Sequence, residues 1–193
     1  SQIETITRYQ KRKKNLFKEI ERVENSTDDN KEKVIENLKK LDTLGGINFD
    51  SVIIGDFDEN LKSVATSLLY TDVSSKRVNY ICLNQWFDES LLKEESLHPL
   101  YFPSINKNNY NIFTKDYMEK FNEEPNQISF LSYDLVGLVY YLIYENNYKI
   151  EKKIFSRKSR FKGKIGVFEI KENKITHELS FYSVRDNKFI KIF

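Results

Sequence analysis

Apolar runs and amphipathic stripes alternate along the chain, and the clearest example lies between Phe49 and Tyr70. Val52 to Ile54 is a continuous apolar run, the pattern of a strand covered on both faces in a parallel sheet. Gly55 then lets the backbone turn, and Asp58 is expected to cap the following helix. That helix is predicted by apolar residues at helical spacing, Leu61, Val64, Ala65, Leu68 and Leu69. A strand that leads directly into such a helix is half of a βαβ unit.

The same order recurs further along the chain. A loop at residues 72–77 leads into a second apolar run at 78–83, which predicts a second buried strand. The repetition favours a parallel sheet with right-handed crossovers. In open α/β sheets, ligands gather at the carboxyl ends of the strands. The candidate ligand-binding residues are therefore those that follow the two strands, Asp56, Phe57, Asn84, Gln85 and Trp86.

The first fifty residues are predicted to be mainly helical. Residues 1–14 form a helix that ends in the basic run 11–14, which suggests phosphate binding, although a solvated helix end is favoured. For residues 16–24, periodicity does not decide between helix and strand. Asp29 and Glu32 resemble a capping box, and the helix they begin is expected to stop at Gly45-Gly46.

The second half of the chain contains a short strand and two helical segments. Residues 100–105 are predicted to be an edge strand because they include Pro103. Residues 112–121 have a helical stripe that stops before Pro125. Residues 130–144 are the most apolar segment, but the run is shorter than the roughly 20 residues that cross a bilayer. A central helix buried on most sides is predicted there.

Short alternating runs follow at 165–170, 177–184 and 189–193, with turns at 172–173 and 185–187. This pattern predicts an antiparallel meander. The predicted fold class is therefore α/β, a parallel Rossmann-like sheet with flanking helices plus C-terminal antiparallel strands.

The composition is that of a soluble, folded protein. The 193 residues are 39% hydrophobic and 31% charged, enough for one good core or two small ones. The formal net charge of +2 excludes no class of partner. Cys82 is the single cysteine and is predicted to be a small core residue, so an internal disulfide is excluded. This cysteine usage fits the cytosol and also a secreted domain.

The segment Asp56-Phe57-Asp58 resembles the aspartate motif of haloacid-dehalogenase-type phosphotransferases, in which one carboxylate attacks phosphorus and the next handles protons beside Mg²⁺. Those enzymes also need a second carboxylate cluster and a lysine after later strands, whereas neutral residues follow the second strand here. A helix cap at Asp58 is favoured, and a Mg-dependent phosphotransferase that uses Asp56 and Asp58 is an alternative.

Metals, cofactors and nucleic acids are not expected partners. His98 and His177 lack a cysteine or carboxylate at metal-ligand spacing. Residues 149–164 are rich in lysine and arginine, with Phe155 and Phe161 between them, a composition that suits nucleic acid or anionic lipid. A solvated connection outside the core is favoured for this stretch.

Taken as a whole, the order of elements resembles the later part of type I periplasmic binding proteins, the Leu/Ile/Val-binding or extracellular ligand-binding receptor group. The segments that carry the resemblance are FDSVIIGDF, ENLKSVATSLLYTDV, NYICLNQWFDESLLKEESL, FTKDYMEKFNEEP and SYDLVGLVYYLIY. The tail FKGKIGVFEIKENK resembles the ending of that family. Within the group, the GDF and NQWFD segments are most similar to receptor-like domains related to penicillin-binding-protein activator lipoproteins.

The resemblance implies two α/β lobes with a ligand cleft that closes by a hinge. Residues 1–122 would supply the second lobe, and residues 123–193 a C-terminal helix that returns toward the first lobe and a closing β-meander. The opening portion of the first lobe would be missing. The cleft-facing positions would be Asp56, Phe57, Asn84, Gln85 and Trp86.

The implied function is non-enzymatic capture of a small polar ligand, an amino acid or an amide-like molecule, in the periplasm for an ABC permease. In amino-acid-binding members a carboxylate near the position of Gln85 pairs with the ligand ammonium, so Asp56 or Asp88 would have to supply that charge here. The alternative is a cell-envelope interaction module of the penicillin-binding-protein activator type, with a cell-wall synthase as its partner. Neither interpretation places a membrane span in this chain.

Overall fold

The chain begins with three helices, alternates strands and helices in its middle, and ends in short strands. The structure is a computed structural model that describes residues 1–83, 87–156, 159–171 and 174–193. Its α-helices are α1 (Gln2–Ile6), α2 (Tyr9–Glu24), α3 (Lys31–Lys39), α4 (Asp58–Tyr70), α5 (Lys107–Phe121), α6 (Gln127–Glu145) and α7 (Lys152–Ser156), and two short 3₁₀ helices cover Glu89–Lys93 and Glu95–Leu97. Its strands are β1 (Ser51–Ile54), β2 (Asn79–Cys82), β3 (Leu100–Ser104), β4 (Ser159–Lys162), β5 (Val167–Lys171), β6 (Lys174–His177), β7 (Ser180–Arg185) and β8 (Lys188–Lys191).

The strands form a five-stranded sheet in the order β1-β2-β3-β7-β8 and a three-stranded sheet in the order β4-β5-β6. β1, β2 and β3 are parallel neighbours, whereas β4, β5 and β6 are antiparallel. The predicted fold class is thereby confirmed. The C-terminal strands nevertheless do not make one meander, since β7 and β8 belong to the larger sheet.

The described residues divide into two compact units, each with a core of its own. The first unit comprises residues 1–83, 89–101 and 183–189, and the second comprises the other described residues. Fully buried members of the first core include Leu61, Ala65, Val73, Tyr80 and Cys82. The second unit contains an apolar cluster of Leu138, Leu142, Ile154, Phe168 and Ile170. The predicted domain division at residue 122 stays a prediction.

Two strands lie at other places in the sheet than the sequence predicted. β1 is an edge strand, and the side chain of Ile53 is 68% exposed, so the prediction of cover on both faces was wrong. β3 lies inside the sheet, so the prediction of an edge strand was wrong as well. Its parallel register with β2 involves Leu100 and Tyr101, which precede Pro103. The missing N–H of the proline therefore leaves no gap in that register.

The N-terminal helix is broken early and then runs further than predicted. Arg8 has a left-handed backbone (φ 52°) between α1 and α2, and α2 continues to Glu24. The basic run therefore lies inside a helix, and the predicted helix end at residue 14 was wrong. Arg12 is buried and donates hydrogen bonds to Thr7 O (3.0 Å), Thr43 Oγ1 (2.9 Å) and Thr71 O. This cation of the run thus fixes α2 to the loop after α4.

Both predicted acidic helix caps were wrong. The N-cap of α4 is Phe57, whose backbone is extended (φ −143°, ψ 174°), and Asp58 lies within the first turn. The N-cap of α3 is Asn30 and not Asp29, and α3 ends at Lys39, before the glycine pair. In each case the N-cap lies one residue before or after the acidic residue that composition favours.

Helix α6 is not buried on most sides, contrary to the prediction. Its buried residues lie on one stripe, Phe130, Asp134, Leu138 and Leu142. Other large apolar side chains are exposed, among them Ile128 (72%), Val136 (68%) and Tyr140 (64%). Within the described residues, no helix is both long enough and apolar enough to cross a membrane.

Candidate functional site

The candidate site begins where β1 and β2 end side by side. The parallel register pairs Ile54 with Cys82, the last residues of the two strands. Along the sequence, Asp56 follows Ile54 by the same interval at which Asn84 follows Cys82. The pairing of adjacent parallel strands, on which the predicted site depends, is therefore present.

Asp56 and Phe57 occupy the turn between β1 and α4. The Oδ1 atom of Asp56 accepts hydrogen bonds from Phe57 N (3.2 Å) and Asn60 Nδ2 (3.2 Å). Asp56 is half-buried, and the side chain of Phe57 is 57% exposed. The turn thus presents a carboxylate that local donors hold in place, next to an accessible aromatic ring.

The remaining predicted ligand-binding residues, Asn84, Gln85 and Trp86, lie outside the described residues. Their role as ligand contacts stays a prediction, as do the roles of Asp56 and Phe57.

Strand β2, which precedes Asn84, Gln85 and Trp86 in the sequence, is anchored in the core. Tyr80 is fully buried, and its hydroxyl donates to Val73 O (2.5 Å). Cys82 is also fully buried, and this desolvation raises the pKa of its thiol to about 12. Cys82 is therefore a core residue, as predicted, and remains a neutral thiol at physiological pH.

Among the described residues, no group of three or more His, Cys, Asp or Glu side chains is arranged to hold a metal ion. His98 Nε2 lies 2.9 Å from Leu91 O, so this ring is engaged by the backbone.

A buried carboxylate that sequence reasoning passed over organises the FKGKIG segment. Asp134 of α6 is only 7% exposed, and its two oxygens accept from Lys164 N (2.7 Å) and Ile165 N (3.1 Å). A Cβ atom at Gly163 would lie 2.0 Å from Asp134 Oδ2, so any larger residue there would force the carboxylate to move. The signal in the sequence was an aspartate within the most apolar segment, since a buried charge needs partners.

The basic stretch at 149–164 is partly neutralised. Arg160 pairs with Glu178, Lys164 pairs with Asp116, and Lys153 Nζ lies 2.6 Å from Glu151 Oε2. Residues 157 and 158 lie outside the described residues. These ion pairs reduce the positive charge that a phosphate backbone would meet.

Three solved structures are similar to this chain in fold. An extracellular ligand binding receptor from Desulfohalobium retbaense has a TM-score of 0.54 at 13% identity, over 72% of this chain and 26% of its own. A leucine binding protein from Thermotoga maritima has a TM-score of 0.53 at 15% identity, over 86% of this chain and 48% of its own.

The third structure is a protein assigned as a branched-chain amino acid ABC transporter from Rhodospirillum rubrum. Its TM-score is 0.52 at 10% identity, over 83% of this chain and 56% of its own. The chain thus spans roughly a quarter to just over half of these proteins. No protein-family profile matches the sequence, and neither does any curated protein.

Proposed function

We propose that this chain, which has the fold of type I periplasmic binding proteins, is part of a non-enzymatic receptor for a small polar ligand such as an amino acid or an amide. The observation that carries the proposal is the in-register end of β1 and β2, with Asp56 and Phe57 directly after β1. In open α/β sheets that edge is where ligands bind. The names of the similar structures, which mention ligand and amino-acid binding, support the same class of ligand.

The five predicted residues divide three tasks among them in this proposal. The Asp56 carboxylate pairs with a ligand ammonium or amide N–H, and this charge-assisted bond is the strongest contact. Phe57 and Trp86 provide apolar surface for the rest of the ligand. Asn84 and Gln85 supply neutral hydrogen-bonding groups that select for polar substituents. With Gln85 neutral, Asp56 is the carboxylate that an amino acid requires.

In the whole protein, ligand capture in a cleft would shift the conformational population toward a closed state, and a partner protein would bind that closed state. We place this receptor in the periplasm, as the extracellular receptor among the similar structures suggests. The partner would then be an ABC permease, in keeping with the name of the similar Rhodospirillum rubrum structure, which mentions an ABC transporter.

A thermal-shift screen with the twenty amino acids and small amides tests the proposal. A ligand present at a hundredfold excess over its Kd adds about 2.7 kcal/mol of stability and so raises Tm by several degrees. Asp56→Asn should weaken binding about tenfold or more, because a hydrogen bond to a charged group contributes about 1.5–3 kcal/mol. Asp50→Asn is the matched control, since Asp50 precedes β1 at the opposite end of the same strand.

Other results would point to other functions. If no ligand shifts Tm, but the protein captures a cell-wall synthase, the chain is an interaction module of the penicillin-binding-protein activator type. If the protein releases phosphate in a Mg²⁺-dependent manner and Asp56→Asn abolishes the release, it is a phosphotransferase. Either outcome would refute the proposed receptor function.

A further inference from the structure

We draw no further inference here: the strongest candidate, the apolar pocket between α6 and strands β5 and β6, which is lined in part by His177, whose buried Nδ1 atom has no hydrogen-bond partner among the described residues, lies beside exposed apolar side chains of α6 in a chain that spans only about a quarter to just over half of the similar structures, and nothing in the structure shows what covers it.

Discussion

Gly163→Ala is expected to be the most damaging small substitution in the second compact unit. The three heavy atoms nearest to an added Cβ all belong to the Asp134 carboxylate, Oδ2 at 2.0 Å, Cγ at 2.4 Å and Oδ1 at 2.8 Å. Real Cβ atoms do not approach other atoms so closely, so the carboxylate must withdraw. It would then release the backbone amides of Lys164 and Ile165.

The magnitude follows from those two hydrogen bonds. A buried donor left unpaired costs about 1–3 kcal/mol, and the amide of Lys164 is only partly buried, so the free energy of unfolding should fall by about 3 kcal/mol. For a chain of 193 residues this corresponds to a decrease in Tm of about 6–12 °C. Urea unfolding followed by far-UV circular dichroism measures the change.

Two controls make the test specific. Gly46→Ala adds a Cβ that meets nothing within 4 Å, so stability should change by less than about 0.5 kcal/mol. In an Asp134→Ala background, Gly163→Ala should also be nearly neutral, because the atoms it displaces are gone. If Gly163→Ala costs as much in that background as in the original protein, the carboxylate is not the reason for the glycine and the reasoning is refuted.

Two further predictions concern the first compact unit. Arg12→Met should lower the free energy of unfolding by about 3 kcal/mol in urea titrations, because the oxygen atoms that Arg12 binds lose their donor. Lys11→Met is the control, and because Lys11 is exposed this substitution should change the free energy of unfolding by less than about 0.5 kcal/mol. Equal effects of the two substitutions would contradict the anchoring role of Arg12. Cys82 should react with a thiol reagent at pH 8 only at the rate of unfolding, and fast labelling of the folded protein would contradict its burial. Burial raises the pKa of Cys82 from 9.0 to about 12, so between these pH values the folded state keeps a proton that the unfolded chain releases. The contribution of the neutral Cys82 thiol to stability is therefore complete below about pH 9 and is lost as the pH rises toward 12. A Cys82→Ala variant should lack this part of the decline in stability.

Local patterns predicted the parallel core of the fold. The apolar run at 52–54, the glycine turn and the helical stripe after it are all encoded within a few residues, and β1, α4 and β2 appear where expected. Position within the sheet is not local information. Ile53 is apolar, yet its side chain is exposed on the edge strand β1. Pro103 is tolerated in the internal strand β3, because the register of β3 with β2 ends at Tyr101, before the proline.

Contacts between distant residues were beyond the reach of sequence patterns. Arg12 looked like one cation among several in a basic run, and only the folded chain shows that it binds residues up to 59 positions away. Asp134 and Lys164 are 30 positions apart, and neither has a partner that periodicity would reveal. The apolar length of α6 predicted burial, but residues such as Val136 have no covering element among the described residues.

The central claim is that the residues after β1 and β2 bind a small polar ligand, and Trp86 tests it most directly. It is the single tryptophan of the protein, so its indole N–H gives one assignable signal in a ¹⁵N spectrum. On titration with an amino acid or amide that raises Tm, the account predicts that this signal and the amide of Phe57 shift together and saturate at the same concentration. A ligand that saturates the protein while both signals stay unchanged would contradict the account.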